Sequence, residues 1–161
     1  MRSMDIIGDG TAEHFEDLVA VDQIAQKDPK RRGELRGWLA SGSVRITTQD
    51  GSPVGYTVVE PSFFGNDFLV LIVVGEQHRN AGIGQLLMGD VEARERDTKL
   101  FTSTNLSNQT MQRLLARRGW VSSGMVFGLD EGDPELFYQF PQTLHLASER
   151  DDAAAMPHSE S

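Results

Sequence analysis

The stretch Val70-Leu71-Ile72-Val73-Val74-Gly75-Glu76-Gln77-His78-Arg79-Asn80-Ala81-Gly82-Ile83-Gly84-Gln85-Leu86-Leu87-Met88-Gly89 changes character twice along its length. Its opening residues, with Phe68 and Leu69 before them, are apolar without alternation, which predicts a central strand covered on both faces. From Ile83 onward, Ile83, Leu86, Leu87 and Val91 recur at helical spacing while Asp90, Glu92, Arg94 and Glu95 fall mostly on the wet side. Between strand and helix lies a polar loop with Gly82 and Gly84. A helix N-terminus offers unpaired N–H groups and a partial positive charge to an anion, and a glycine has no side chain to hold a phosphate away. The segment therefore predicts a pyrophosphate site, although a plain tight strand-to-helix turn would share these features.

Outward from this segment, the remaining pattern is that of an α/β domain. Residues from about Met4 to Ile7 suggest a short first strand. Thr11 can cap a helix carrying Phe15, Leu18, Val19 and Ile24 on one face, and Asp28-Pro29 starts a second helix with Leu35, Trp38 and Leu39 inward. Val44 to Gln49 and Val54 to Glu60 read as a hairpin about Asp50-Gly51-Ser52-Pro53, and Gly65-Asn66 marks the turn into the central strand. Leu100 to Thr104 predicts a further strand, followed by a helix capped at Ser107 or Asn108 with Met111, Leu114 and Leu115 facing inward. Trp120 to Gly128 and Leu136 to Phe140 form a last strand pair around an acidic connection. Residues 1–141 are expected to make one domain and residues 142–161 a polar tail.

Three phosphate-binding readings of the loop can be compared. A P-loop ends in Gly-Lys-Ser/Thr, whereas Gly84 is followed by Gln85-Leu86; a dinucleotide fold needs a third glycine where Leu87 stands. Arg79-x-x-Gly82-x-Gly84 instead resembles the Q/R-x-x-G-x-G/A signature of the GNAT acyltransferase superfamily. Asn108-x-x-Met111-x-x-Leu114-Leu115-x-x-x-Gly119-Trp120 is similar to that family's N-x-x-A-x-x-L-Y-x-x-x-G-F element. The resemblance covers element order from about Met4 to Phe140, and these two stretches are its specific part. It implies an α/β (α+β) GNAT fold, a mixed central sheet of about six to seven strands with about four helices. It also implies an N-acetyltransferase that moves an acetyl group from acetyl-CoA to a primary amine by direct attack in a ternary complex.

The resemblance further implies roles for named residues. Main-chain groups of Ile72, Val73 and Val74 would hold the pantetheine arm. Arg79 and the amides of Asn80, Ala81, Gly82, Ile83 and Gly84 would hold the pyrophosphate, and Asn108 would contact the pantetheine or thioester region. Two positions depart from the pattern. The tyrosine that often serves as general acid is Leu115 here, and the glutamate that some members use as base is Ser103. An amine of pKa about 10 must lose a proton before it attacks, whereas a thiolate of pKa roughly 8.5 leaves readily, so the missing base matters more than the missing acid. Asp67 is the first candidate for a replacement base and Glu60 the second. Ser103 could relay a proton through water, and Tyr138 could act as acid. The alternative is an acyl-CoA-binding sensor or interaction module with weakened catalysis.

Composition narrows the remaining possibilities. A formal charge of -9 opposes general nucleic-acid binding, which needs a basic surface, and suits a cationic small-molecule or peptide amine as acceptor. There is no cysteine, and the four histidines, His14, His78, His145 and His158, show no metal spacing, so no metal is expected. No apolar run approaches membrane-spanning length and no signal peptide is readable, so no membrane partner and a cytoplasmic location are expected. Arg113, Arg117 and Arg118 would serve either the 3′-phosphate of CoA or the C-terminal dipole of their helix. An exposed strand edge near Phe137 to Phe140 would permit a homodimer.

Overall fold

The structure, a computed structural model, describes residues 6–141, so Met4 and Asp5 of the expected first strand and the expected tail lie outside the described residues. It contains a seven-stranded sheet and five α-helices, an α/β fold. Two compact units divide the described chain: residues 6–61 with 68–95, and residues 62–67 with 96–141.

In the first unit the strands β1 (Ile6–Asp9), β2 (Val44–Gln49), β3 (Ser52–Phe63) and β4 (Asn66–Val74) follow in that order, with β3 and β4 extending into the second unit at their shared turn. The β2–β3 hairpin closes on two residues only, Asp50 and Gly51, with φ of 50° and 79°. This is the positive-φ pair that a two-residue hairpin favours. Ser52 and Pro53, expected in the turn, are instead part of β3. The pairing passes from Thr47↔Gly55 to Thr48↔Pro53, leaving Val54 as an extra residue, and proline is tolerated beside such a bulge.

Helices cover both faces of these strands. On one face α1 (Phe15–Val21) and α3 (Pro29–Ala40) supply Leu18, Leu35 and Leu39 to a core with Val44, Ile46, Tyr56 and Val58, against which Leu71 and Val73 pack. On the other, α4 (Ile83–Ala93) packs Ile83 and Leu87 on Val54, with Ile72 and Val74 alongside. Leu71 and Val73 thus serve one layer and Ile72 and Val74 the other, as the unbroken apolar run of β4 predicts, with Val70 also reaching the first. Within α4 the buried positions are Ile83, Leu87, Met88, Val91 and Glu92, the last expected on the wet side; Leu86 is one step off this stripe and 36% exposed.

One expected helix is broken. The run from Thr11 through Ile24 resolves into a short 3-10 turn, then α1, then α2 (Gln23–Lys27), because Asp22 leaves helical geometry and caps α2 by accepting from the amides of Ile24 and Ala25. The break rotates Ile24 off the apolar stripe and leaves it 54% exposed, while Ala25 is buried.

The second unit contains β5 (Leu100–Asn105), α5 (Gln109–Arg117), β6 (Val121–Val126) and β7 (Glu135–Gln139). Strand β7 lies between β5 and β6 and is antiparallel to both. The expected open edge at Phe137 to Phe140 is therefore not an edge; β6 is. The β3–β4 turn belongs here, with Asp67 N–H donating to Lys99 O at 2.9 Å. Phe63 from that turn packs against Phe101 and Phe137 at centroid distances of 5.0 and 5.7 Å. Among the described residues no helix is long and apolar enough to cross a membrane.

Candidate functional site

Strand β4 ends at Val74, and the chain is fixed there from two sides. Gly75 N–H donates to Val54 O at 2.8 Å, and a Cβ on Gly75 would meet His78 Cδ2 and Val54 O at 3.3 Å. His78 closes the following 3-10 turn (Glu76–His78) by donating its amide to Gly75 O at 2.9 Å. Its half-buried ring packs over the glycine, so its place in the fold is structural. The Gln23 amide donates to the Glu76 carboxylate, tying the start of α2 to this turn.

Beyond the turn, Arg79, Asn80, Ala81 and Gly82 are exposed. Arg79 is extended, Asn80 has φ of 62°, and Gly82 caps α4 in the left-handed region at φ 82°. The role of Gly82 is thus set by its backbone: nothing lies within 4 Å of a Cβ placed there, but an L side chain rarely adopts that φ. The first hydrogen bond of α4 runs from Leu86 N–H to Gly82 O at 3.1 Å, so the amides of Ile83 and Gly84 precede the helical ladder. Ile83 is 1% exposed and fixes the first turn of the helix against β3. An eleven-residue helix so anchored presents its positive end to whatever occupies the exposed loop.

Gly55 sets how closely α4 approaches. A Cβ there would lie 2.7 Å from Val73 O, 3.1 Å from Leu87 Cδ1 and 3.3 Å from Ile83 Cγ2. The helix start and the pantetheine-contact candidates Ile72, Val73 and Val74 are thereby positioned by one glycine of β3. These three residues are half-buried although β4 is covered by helices on both faces.

The model of the acetyltransferase (GNAT) family matches residues 12–120, which include the whole strand, loop and helix segment. The chain belongs to the GNAT family. A GNAT acetyltransferase from Bacillus cereus is similar in structure at a TM-score of 0.79 and 29% identity, covering 85% of this chain and 96% of that one. Two others show the same fold at lower identity. Ard1 from Thermoplasma volcanium has a TM-score of 0.71 at 18% identity, covering 83% of this chain and 95% of that one. Diaminobutyrate acetyltransferase EctA from Paenibacillus lautus, in complex with L-2,4-diaminobutyric acid and coenzyme A, has 0.65 at 16%, covering 86% and 96%. No curated protein matches the chain in sequence.

The candidate proton-transfer residues of this GNAT chain are placed less simply. Asp67 stands at the start of β4, seven residues from Val74, hence about 23 Å away along an extended strand. Its Oδ2 accepts from Arg96 Nε at 3.2 Å, and its own amide is held by Lys99 O and Thr98 Oγ1. The Arg96 contact engages one of the two carboxylate oxygens. Ser103 is half-buried on β5 opposite Phe137, sharing a face with Phe101 and Asn105, while Thr102 and Thr104 point to the buried side. Tyr138 is opposite Thr102 and so belongs to the other face. Leu115 is completely buried in α5, where Trp120 N–H caps its carbonyl at 3.0 Å. Asn108 uses its side-chain oxygen to cap α5 at Met111 N–H, 3.1 Å away.

Two buried carboxylates escaped sequence reasoning: Glu92 in α4, 8% exposed, and Asp22. Asp22 is 2% exposed and accepts from Tyr56 Oη, from Arg31 Nη1 at 3.0 Å, and from two amides at the start of α2. Its signal in the sequence is faint: a capping-type residue sits in the middle of a helical pattern. Among the described residues there is no group of three or more His, Cys, Asp or Glu that could hold a metal ion.

Proposed function

We propose that this GNAT protein is an N-acetyltransferase that transfers the acetyl group of acetyl-CoA to a primary amine by direct attack in a ternary complex. The observation that carries the proposal is the exposed Arg79–Gly84 loop, closed by a left-handed Gly82 and running into the anchored N-terminus of α4. The residues fit a pyrophosphate: Asn80, Ala81, Gly82, Ile83 and Gly84 offer main-chain N–H groups, and the Arg79 guanidinium offers charge. Ile72, Val73 and Val74 offer main-chain groups for the pantetheine amides. Asn108 contributes by fixing the start of α5 more than by its already engaged side-chain oxygen.

Positioning of amine and thioester carries most of the rate in this reading, since proximity alone can supply about 7 kcal/mol or more. A thiolate is a tolerable leaving group, so the buried Leu115 does not block the reaction. The amine proton leaves through water, with Ser103 as its first relay. Asp67 is the second candidate, with one carboxylate oxygen engaged by Arg96. The net charge of -9 favours a cationic acceptor, and the cytoplasm is the setting in which acetyl-CoA and such amines meet.

A second reading, an acyl-CoA-binding module with weakened catalysis, draws on Leu115 and on the engagement of Asp67. Calorimetric titration with acetyl-CoA, followed by thiol-release assays over a panel of primary amines, separates the two. Amine-dependent release of CoA is expected. Saturable binding with no amine-dependent release across the panel selects the module, and absence of binding overturns both.

A further inference from the structure

We infer that Gln23 is a positioning residue for the coenzyme: it holds the Glu76 carboxylate away from Arg79 and leaves the Arg79 guanidinium free for the pyrophosphate, a role that rests on the reading of Arg79–Gly84 as the pyrophosphate site. Glu76 opens the 3-10 turn Glu76–His78 and Arg79 follows it, with a φ of -67° that continues the turn. In 3-10 geometry side chains three residues apart eclipse one another, so Glu76 and Arg79 are the ion pair that the local chain offers. Glu76 is also the only acidic residue between Gly75 and Gly89. Its carboxylate nevertheless accepts from the side-chain amide of Gln23, which is 53 residues away in sequence. Arg79 is exposed and enters none of the ion pairs among the described residues.

The place of Gln23 is fixed from the core outward. Asp22, 2% exposed, is held by Tyr56 of β3 and Arg31 of α3, and it caps α2 at the amides of Ile24 and Ala25. Gln23 is the first residue of α2, so the cap that orients the helix start orients this side chain with it. On the other side of Asp22, Val21 lies against the same turn, its Cγ1 3.5 Å from where a Cβ on Gly75 would stand. The α1–α2 junction therefore meets the turn at both Gly75 and Glu76. A carboxylate left free there would close on Arg79 or face the bound anion with like charge, and either weakens coenzyme binding. Glutamine suits the task because it donates to the carboxylate while adding no cation that would compete for the phosphates.

Calorimetric titration of the full-length chain with acetyl-CoA tests this. Gln23→Ala, at an exposed position, is expected to melt as the wild type does and to raise Kd about two- to fivefold, the size of one exposed ion pair. The difference should shrink at high salt. Glu76→Gln alone binds at least as tightly as the wild type, and added to Gln23→Ala it restores the wild-type Kd, a rescue that a merely structural contact would not give. In an Arg79→Gln background, itself weaker than the wild type, Gln23→Ala loses most of its effect. A wild type that does not bind acetyl-CoA overturns the coenzyme reading and the role of Gln23 together. Where the wild type binds, a neutral Gln23→Ala, a loss that Glu76→Gln does not restore, or a neutral Arg79→Gln overturns the role of Gln23 alone.

Discussion

The hydroxyl of Tyr56 donates to Oδ2 of Asp22 at 2.5 Å in a place where the tyrosine is fully buried and the aspartate nearly so. Asp22 simultaneously caps α2 and pairs with Arg31 on α3, so this one carboxylate ties β3 to the helices at its surface. The next residue, Gln23, bonds Glu76 in the turn that leads to the Arg79–Gly84 loop. A buried charge is tolerable only when its hydrogen-bonding capacity is filled, and Asp22 meets that condition with four donors.

Removing the carboxylate should therefore be costly. Asp22→Ala is expected to lose about 3–5 kcal/mol, as for other broken buried pairs. Tyr56→Phe, which removes one hydrogen bond to a charged acceptor, should lose about 1.5–3 kcal/mol. Chemical denaturation at neutral pH measures both, and equal losses for the two would contradict the central role given to Asp22.

Tyr56 also predicts alkaline sensitivity. Burial, then its hydrogen bond to Asp22, raises its pKa above the ordinary phenol range. The folded state holds the phenol proton where the unfolded chain, with a pKa of about 10, releases it. The stabilisation is complete below that pH and is lost as pH rises above it, at up to about 1.4 kcal/mol per pH unit for one proton. Denaturation curves between neutrality and alkaline pH should show this slope in the wild type and a shallower one in Tyr56→Phe.

Gly55→Ala tests the seat of α4. Its Cβ would lie 2.7 Å from Val73 O, a main-chain atom that cannot rotate away. The expected cost is about 1–3 kcal/mol from overpacking, together with weaker acetyl-CoA binding because Ile83 and the helix start must shift. Unchanged affinity in a destabilised protein would separate the helix seat from the coenzyme site.

Gly82→Ala places a side chain at φ 82° and should cost about 1–2 kcal/mol in stability. Nothing lies within 4 Å of the new Cβ, so any loss of acetyl-CoA affinity comes from the altered loop conformation or from a clash with the bound coenzyme. Calorimetry should record weaker binding, and wild-type affinity would remove the phosphate-loop assignment.

Leu115→Tyr restores the residue type that the family often carries at this position. Because Leu115 has no exposed surface, the larger polar ring should overpack α5 and destabilise the protein by about 1–3 kcal/mol. No rise in kcat is expected. A rise with unchanged melting would show that the helix can turn this side chain toward the reacting thiol.

Much of this architecture was legible along the chain because local signals agreed with one another. Asp28-Pro29 started a helix as expected, Asp50-Gly51 turned a hairpin, and the unbroken apolar run of β4 did pack between two helical layers. Readings failed where one residue outweighed periodicity. Asp22 broke a helix that the apolar spacing carried on to Ile24, because a buried carboxylate found better partners as a cap. On α4, Leu86 turned outward and Glu92 inward against the expected spacing, because the stripe of this helix follows its seat over Gly55.

For the site, the sequence by itself determined the loop: two glycines between an apolar strand and an amphipathic helix leave few other conformations, and the spacing from Arg79 to Gly84 carries the family resemblance. Only the tertiary structure decided how the ionisable groups are used. Asp67 meets Arg96, twenty-nine residues away, and Asp22 meets Tyr56, thirty-four residues away, through contacts that no local pattern encodes. The physical reason is one of range. Backbone propensity and periodicity act within a few turns of chain, whereas the partner of a buried charge is settled by which distant elements pack against it.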